Sequence, residues 1–331
     1  MLTNDFKLDR RAVLWGSAGA FTAGLTGCSG GVRNAGGLRV SITGKGEADT
    51  RLLFRHAGLR PDFPVSYSEF QSGHLVVEAF NSGSLDFGGM SEIPPVFAAA
   101  STMQSFRQVA VNHGDVNNQA VLVPAGSQIR DLAGLKGKQV GYVRATTSQY
   151  FLIRMLGAVG LKWSDIEPVA MSVSDGAAAF SRGSLDAWAI YGFPIQRALA
   201  TEGARVLRTA LGFLSGNYVV CASEQALADA EKSRQIEVYL QLLRKGYDWA
   251  AQNRDRWTAI IANEIGVPAE YVRDQFQHQS ATYELRPVTA AAVRSQQEVA
   301  DVFTDTGLIP RHVDVRPLWT DRFNSIIAQE A

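Results

Sequence analysis

A phrase that recurs at an interval of one hundred residues constrains this chain more than any other feature. Residues 78–90 read EAFNSGSLDFGGM and residues 178–190 read AAFSRGSLDAWAI. Ala-Phe, two variable residues and Gly-Ser-Leu-Asp return in the same order. In each copy an apolar helical stretch runs into a glycine turn, and a strand-like run begins at the aspartate. Six identities in an eight-residue frame predict two α/β units of similar layout, facing each other as two lobes. A chain of 331 residues has room for two such domains, each with an ample core.

The rest of the pattern fits around that frame. Strand-like runs at Leu38–Thr43, Val65–Phe70, Phe106–Val111 and Ala120–Val123 alternate with helical stretches at Ala48–His56, Gly73–Asn81 and Ile93–Ala100. A fresh unit follows, with strands at Gln139–Val143, Glu167–Val169 and Arg205–Leu207 and helices at Gln149–Val159 and Ile195–Glu202. Strands alternating with helices predict mainly parallel sheets covered on both faces. Beyond the strand-like run Asn217–Ala222 the pattern is helical: Lys232–Asn253, Arg256–Glu264, Pro268–Gln277 and Thr289–Thr306. Such a tail cannot make another sheet and is expected to pack on the first lobe. The predicted fold class is α/β, with two Rossmann-like lobes. Residues 38–123 and 217–331 form lobe one and 124–216 form lobe two. Two crossing segments, near Asn118–Pro124 and Leu214–Ala222, make a double-strand hinge.

The N-terminus reads as an address. Lys7, Arg10 and Arg11 precede an uncharged stretch from Ala12 to Gly27 that is short for a membrane span. The Arg10-Arg11 pair resembles a twin-arginine export signal, and Leu25-Thr26-Gly27-Cys28 resembles a bacterial lipobox. Residues 1–27 are therefore expected to be a signal peptide, Cys28 the site of lipidation, and 28–37 a flexible tether. The expected location is periplasmic or on the cell surface, anchored through lipid. Cys221 is then left without a disulfide partner, and its run NYVVCA makes a buried small hydrophobe the default reading.

Lys+Arg and Asp+Glu number 32 each, which argues against nucleic-acid binding. The five histidines are scattered without metal-ligand spacing, so no metal or cofactor is expected. Neither a phosphate-cradling Gly-x-x-x-x-Gly-Lys-Ser/Thr loop nor a Gly-x-Ser-x-Gly nucleophile turn occurs.

Four stretches carry a family resemblance: SEFQSGHLVVEAFNSGSLDFGGMSEIPPVFAAA (68–100), DLAGLKGKQVGYVRATTSQYFLIRMLGAVGL (131–161), SDIEPVAMSVSDGAAAFSRGSLDAWAIYGFP (164–194) and ELRPVTAAAVRSQQEVADVFTDTGLIPRHVDV (284–315). In order and spacing they resemble the periplasmic solute-binding proteins of ABC importers, in the aliphatic-sulfonate and taurine binding family. The resemblance implies a type II periplasmic binding fold and a monomer that closes on a small anion. Its partners would be an ABC permease and its ATPase. Three departures stand out. The chain has Ser91-Glu92-Ile93-Pro94-Pro95 where the family has Gly-Asp or Gly-Glu before the proline helix. It has Tyr191-Gly192-Phe193-Pro194 where the family tends to carry Trp-Asp-Pro, and Ala145 replaces a glycine. An altered ligand, such as nitrate, a thiamine-type pyrimidine or an aromatic acid, stays open, as does a sensor role. The fold also hosts desulfinases, which need a cleft cysteine, and pyrimidine-precursor synthases.

In open α/β sheets ligands sit on the loops beyond the carboxyl ends of strands. The candidate contacts are therefore Thr43 and Lys45 after the first strand, Gln71, Ser72 and Gly73 after the second, and Ser91 and Glu92 after the first repeat copy. Thr146, Thr147, Ser148, Trp188 and Tyr191 come from the second lobe. Helix starts at Gly73 and near Ser148 offer unpaired N–H donors to an anion, and Lys45 offers a cation. Glu92 suits an amine or a helix cap; Trp188 and Tyr191 can wall an apolar portion.

Overall fold

The structure, a computed structural model, describes residues 36–101 and 105–328. The expected signal, tether start and Cys28 lie outside them. Gly36 onward forms one compact body.

Its first part runs β1 (Leu38–Thr43), α1 (Thr50–Ala57), β2 (Val65–Phe70), α2 (Gly73–Asn81), β3 (Phe87–Ser91), α3 (Ile93–Ala100) and β4 (Phe106–His113). The middle part runs β5 (Gln119–Val123), β6 (Gln139–Tyr142), α4 (Thr147–Ala158), β7 (Glu167–Ala170), α5 (Val173–Ser181), β8 (Ala187–Tyr191), α6 (Phe193–Glu202) and β9 (Arg205–Thr209). The last part adds β10 (Asn217–Ser223), α7 (Glu224–Ala228), α8 (Ala230–Gln252), α9 (Arg254–Ile265), α10 (Ala269–Gln277), β11 (Glu284–Arg286), α11 (Ala290–Asp305) and α12 (Asn324–Ala328).

Two sheets result, ordered β11-β4-β10-β3-β1-β2 and β7-β6-β8-β5-β9. The first takes strands from both ends of the described chain, and the second only from its middle. Both are mixed rather than mainly parallel. β10 runs antiparallel between β3 and β4, and β5 runs antiparallel between β8 and β9. Each is the strand by which the chain enters or re-enters a sheet, so it arrives from the opposite end. The expected boundary at 124 therefore moves. Gln119–Val123 is a fully buried inner strand of the second sheet, and Asn217–Ser223 is an inner strand of the first rather than a hinge. The segments that cross between sheets are 114–118 and 210–216.

The repeat has a common geometry. α2 and α5 end alike: the N–H groups of Ser82, Gly83 and Ser84 return to carbonyls of Glu78, Phe80 and Ala79. Those of Arg182, Gly183 and Ser184 return to Ala178, Phe180 and Ala179. Gly83 and Gly183 sit at φ 71° and 70°, the left-handed region that closes a helix most cheaply with glycine. The aspartates that follow, Asp86 and Asp186, immediately precede β3 and β8.

Packing follows strand alternation. In β10, Val220 and Ala222 join the core beneath α1, α8 and α9, whereas Val219 and Cys221 join the cluster with Val76, Val77 and Phe80 of α2. The helical tail supplies Tyr239, Leu240, Trp257 and Ile261 to that first core. Across the two sheets, Tyr150 of α4 packs on Phe303 of α11, ring centroids 5.7 Å apart, in a cluster with Ile93 and Val96 of α3.

Candidate functional site

The strand ends of both sheets open on one cavity of about 210 Å³. Thr43, Lys45, Gln71, Gly73, Ser91, Thr146, Thr147 and Tyr191 all line it, drawn together from both lobes. At its mouth Ser174 of the second lobe donates to Gln71 Oε1 of the first at 3.3 Å.

Two helix starts face this space without side-chain caps. Thr146 precedes α4 but makes no capping bond, because its hydroxyl donates backward to the Val143 carbonyl at 2.7 Å. Ser148 lies behind it, fully buried, with its hydroxyl bonded to Val143 N–H at 2.9 Å and to Thr146 Oγ1 at 3.0 Å. The hydroxyls thus brace the loop from below and leave first-turn N–H groups of α4 unoccupied by a cap. In α2 the same arrangement holds: Ser72 bonds His74 Nδ1 at 3.0 Å and caps nothing. By contrast, α1, α5, α8 and α11 are capped by Asp49, Ser172, Asp229 and Thr289. Gly73 holds α2 close: a Cβ there would come 2.8 Å from Pro94 Cγ and 3.0 Å from Met90 Cβ. Ala145, before Thr146, is the single non-glycine residue at positive φ among the described residues, at 55°. The glycine expected there has a conformational reason.

Four expected contacts fall outside the lining. Ser72 and Ser148 are turned into their own loops. Trp188 is a core residue, 1% exposed, its ring tilted against Phe180 with centroids 5.6 Å apart, and Gly176 leaves the space its ring fills. Alternation along β8 explains this, since Trp188 lies three residues before the strand end where Tyr191 emerges. Glu92 is 3% exposed and neither reaches the cavity nor caps α3. It accepts from Ser215 at 2.6 Å and Ser295 at 3.1 Å. Burial pushes its carboxyl up to about 7, against the lowering pull of those two hydroxyls.

Several lining residues escaped the sequence reading. Glu47 follows Lys45 by two positions, and these are the charged residues of the lining. Burial, then the Asp115 charge, pushes the Glu47 carboxyl up to about 8, and Arg254 opposes. Asn118 comes from the crossing into the second sheet, Gln119 from the first residue of β5, Tyr218 from β10, Tyr247 from α8, and Tyr283 from just before β11. A three-residue strand such as β11 has no readable period, and a tyrosine inside a long amphipathic helix looks like core. Tyr191 has its hydroxyl buried beside Thr146 without a partner of good geometry. Cys221, the described cysteine, is in the core and does not line the cavity; burial pushes its thiol far up. Among the described residues no cluster of His, Cys, Asp or Glu has the geometry of a metal site.

Two α/β lobes joined by two crossings, with a cavity at the strand ends of both, define a bilobal solute-binding architecture. The chain belongs to the NMT1/THI5-like family, whose model matches residues 48–256. It is 32% identical over 257 residues to an Escherichia coli (strain K12) protein named for binding aliphatic sulfonates, covering 77% of this chain and 79% of that one. The alkanesulfonate-binding protein of Xanthomonas axonopodis pv. citri, solved bound to MOPS, aligns at TM-score 0.75 and 28% identity. The alignment covers 86% of this chain and 98% of that one. A desulfurization enzyme aligns at TM-score 0.61 and 15% identity, a likeness of fold alone.

Proposed function

We propose that the protein is the substrate-binding component of an ABC importer, and that it captures a small organic anion, an aliphatic sulfonate, between its lobes. One observation carries the reading: uncapped helix starts from opposite lobes, at Gly73 and Thr147, border the same cavity. Each presents N–H donors and a partial positive charge, so a sulfonate's three oxygens are held by both halves at once. An anion bound in this way favours the closed form over the open one, and that difference in affinity drives closure. The names of the relatives support a sulfonate over other anions. Export by the Arg10-Arg11 signal, lipid attachment at Cys28 and a monomeric state belong to the same proposal. No helix among the described residues is long and apolar enough to cross a membrane.

Isothermal titration against methanesulfonate, butanesulfonate, nitrate, propionate and an aromatic carboxylate tests the ligand class. Saturable binding of the sulfonates, with the others weaker, is expected; binding by none of these anions refutes it. Mass spectrometry of the membrane-extracted protein and of a Cys28→Ser variant tests the anchor.

A further inference from the structure

An anion in the cavity shares its space with a carboxyl group. Glu47 lines the same cavity and makes no hydrogen bond or ion pair among the described residues. Its charged neighbours are occupied elsewhere. Arg254 of α9 is committed to the Phe276 carbonyl at 3.0 Å and to Gln279. Asp115, in the crossing, is itself negative and takes its donors from Asn117, Asn118 and Ser280. On the loop that carries Glu47, Asp49 pairs with Arg51 at 2.7 Å, and Lys45 is exposed and makes no ion pair with Glu47. The other titratable groups around it are phenols: Tyr218 of β10, Tyr247 of α8 and Tyr283 before β11.

These surroundings suit the acid better than its anion. Gln119 donates Nε2–H to Tyr218 Oη at 2.7 Å, and Tyr218 donates its only proton to the Asp115 carbonyl at 2.7 Å. The Tyr218 oxygen must therefore accept, which fixes the Gln119 amide and leaves Oε1 as a buried acceptor with no donor. Asn118 Oδ1 is unpartnered as well. A carboxylate adds only further acceptors to this lining, whereas a carboxylic acid brings the missing donor. Burial and the Asp115 charge act in the same direction and push Glu47 up to about 8, so near that pH the empty cavity holds acid and carboxylate in comparable amounts. A sulfonate remains ionised throughout this range and adds a permanent negative charge to the same space. Two like charges in one poorly hydrated site drive the weaker acid to take up a proton.

We propose that anion capture and protonation of Glu47 are one coupled event: the ligand enters as its anion, and the Glu47 carboxylate takes one proton from solvent. The charge of the cavity is then unchanged by loading, and the new O–H supplies a donor to a lining that lacks one. The inference rests on the reading of the cavity as an anion site. Its direction is fixed: the ionised Glu47 competes with the ligand, so affinity falls as pH rises through the value of the empty site.

Calorimetric titration with butanesulfonate, repeated in buffers of different ionisation enthalpy, counts the protons taken up on binding. Wild type is expected to take up almost none at pH 6, where Glu47 is already the acid, and about half a proton at pH 8. Its affinity should drop about tenfold from pH 6 to pH 9. Glu47→Gln, a mimic of the acid, should still bind saturably, which reports that it is folded, but take up no proton at pH 8. Glu92→Gln, altered beside the crossing instead, should keep the uptake. Absence of uptake by wild type at pH 8, uptake that survives Glu47→Gln, or uptake that vanishes in Glu92→Gln overturns the proposal. Propionate titrated in parallel separates this from the sulfonate reading. If propionate alone binds, with the same uptake, the proton link stands and the sulfonate reading falls; if neither anion binds, both fall.

Discussion

Asp86 and Asp186, one hundred residues apart, make the same bond: each carboxylate accepts a backbone N–H at 2.9 Å, from Arg39 and Gln139 respectively. In return each aspartate's own N–H donates to the carbonyl of that same residue, Arg39 or Gln139. The side chain thus completes a two-way clamp between adjoining strands in both sheets. The lobes then differ in what surrounds the clamp. Asp86 also holds the Arg39 guanidinium at 2.6 Å and Lys232 of α8 at 2.8 Å, so the first lobe ties its opening strand to its helical tail. Burial pushes the Asp86 carboxyl up, but the bonds from Arg39 and Lys232 outweigh this and leave it below its ordinary value.

The two clamps should therefore fail at different cost. Asp86→Ala strands two cations around a buried position and should lower stability by about 3 kcal/mol or more. Asp186→Ala removes one backbone acceptor and should cost about 1 kcal/mol. Urea unfolding of the pair checks this, and equal costs would contradict it. The Asp86 contribution is present above the usual carboxylate range and is lost as pH falls, because the unfolded chain takes up the proton first.

Glu92 has the opposite sign. Its folded carboxyl is raised from 4.5 to about 7, so between those values the folded state holds a proton that the unfolded state releases. Stability from this group falls as pH rises across that window, by up to about 3 kcal/mol. Glu92→Gln should match wild type near pH 4 and exceed it at pH 8. Parallel curves of stability against pH for the two proteins would contradict the assignment. Its partner Ser215 lies in the crossing between sheets, so ligand affinity should shift over the same pH range.

Tyr191→Phe should separate stability from binding. The buried hydroxyl has no good partner in the protein, so its removal should stabilise by about 1 kcal/mol. If a ligand oxygen supplies that partner, affinity should fall by roughly five- to tenfold. Thermal melting and titration on one preparation give both values; a loss of stability without loss of affinity contradicts the placement.

Ala145→Gly should stabilise. An alanine in the left-handed region costs about 1–2 kcal/mol, and glycine's extra freedom when unfolded offsets part of it. A net gain of about 0.5–1 kcal/mol in unfolding free energy, read from a raised urea midpoint at unchanged slope, is expected.

Much of the fold was legible because it is written in periodicity. Gly73–Asn81, Ile93–Ala100 and Pro268–Gln277 fall within a residue of their helices, and the repeat announced the duplicated strand starts. Sheet membership was not legible. Gln119–Val123 is equally apolar whichever sheet it joins, and only its pairing with β8 and β9 decides. At the site, residues on strand-end loops were found by their position after a strand. Glu47, Gln119, Tyr247 and Tyr283 were not, because they meet only once α8 and β11 fold back on the first lobe. Trp188 shows the converse limit: a one-sided alternation near a strand end does not say which residue leaves the core.

The antiparallel seat of β10 between β3 and β4 dictates an order of assembly. β4 pairs with β10 and β11, both made after it, so Phe106–His113 waits for roughly 100 residues, or ~5–20 s of translation, without a neighbour. The second sheet draws on 119–209 alone and can close within that interval. The half that holds Glu47 is then the last to form, with two open strand edges exposed while the rest is finished.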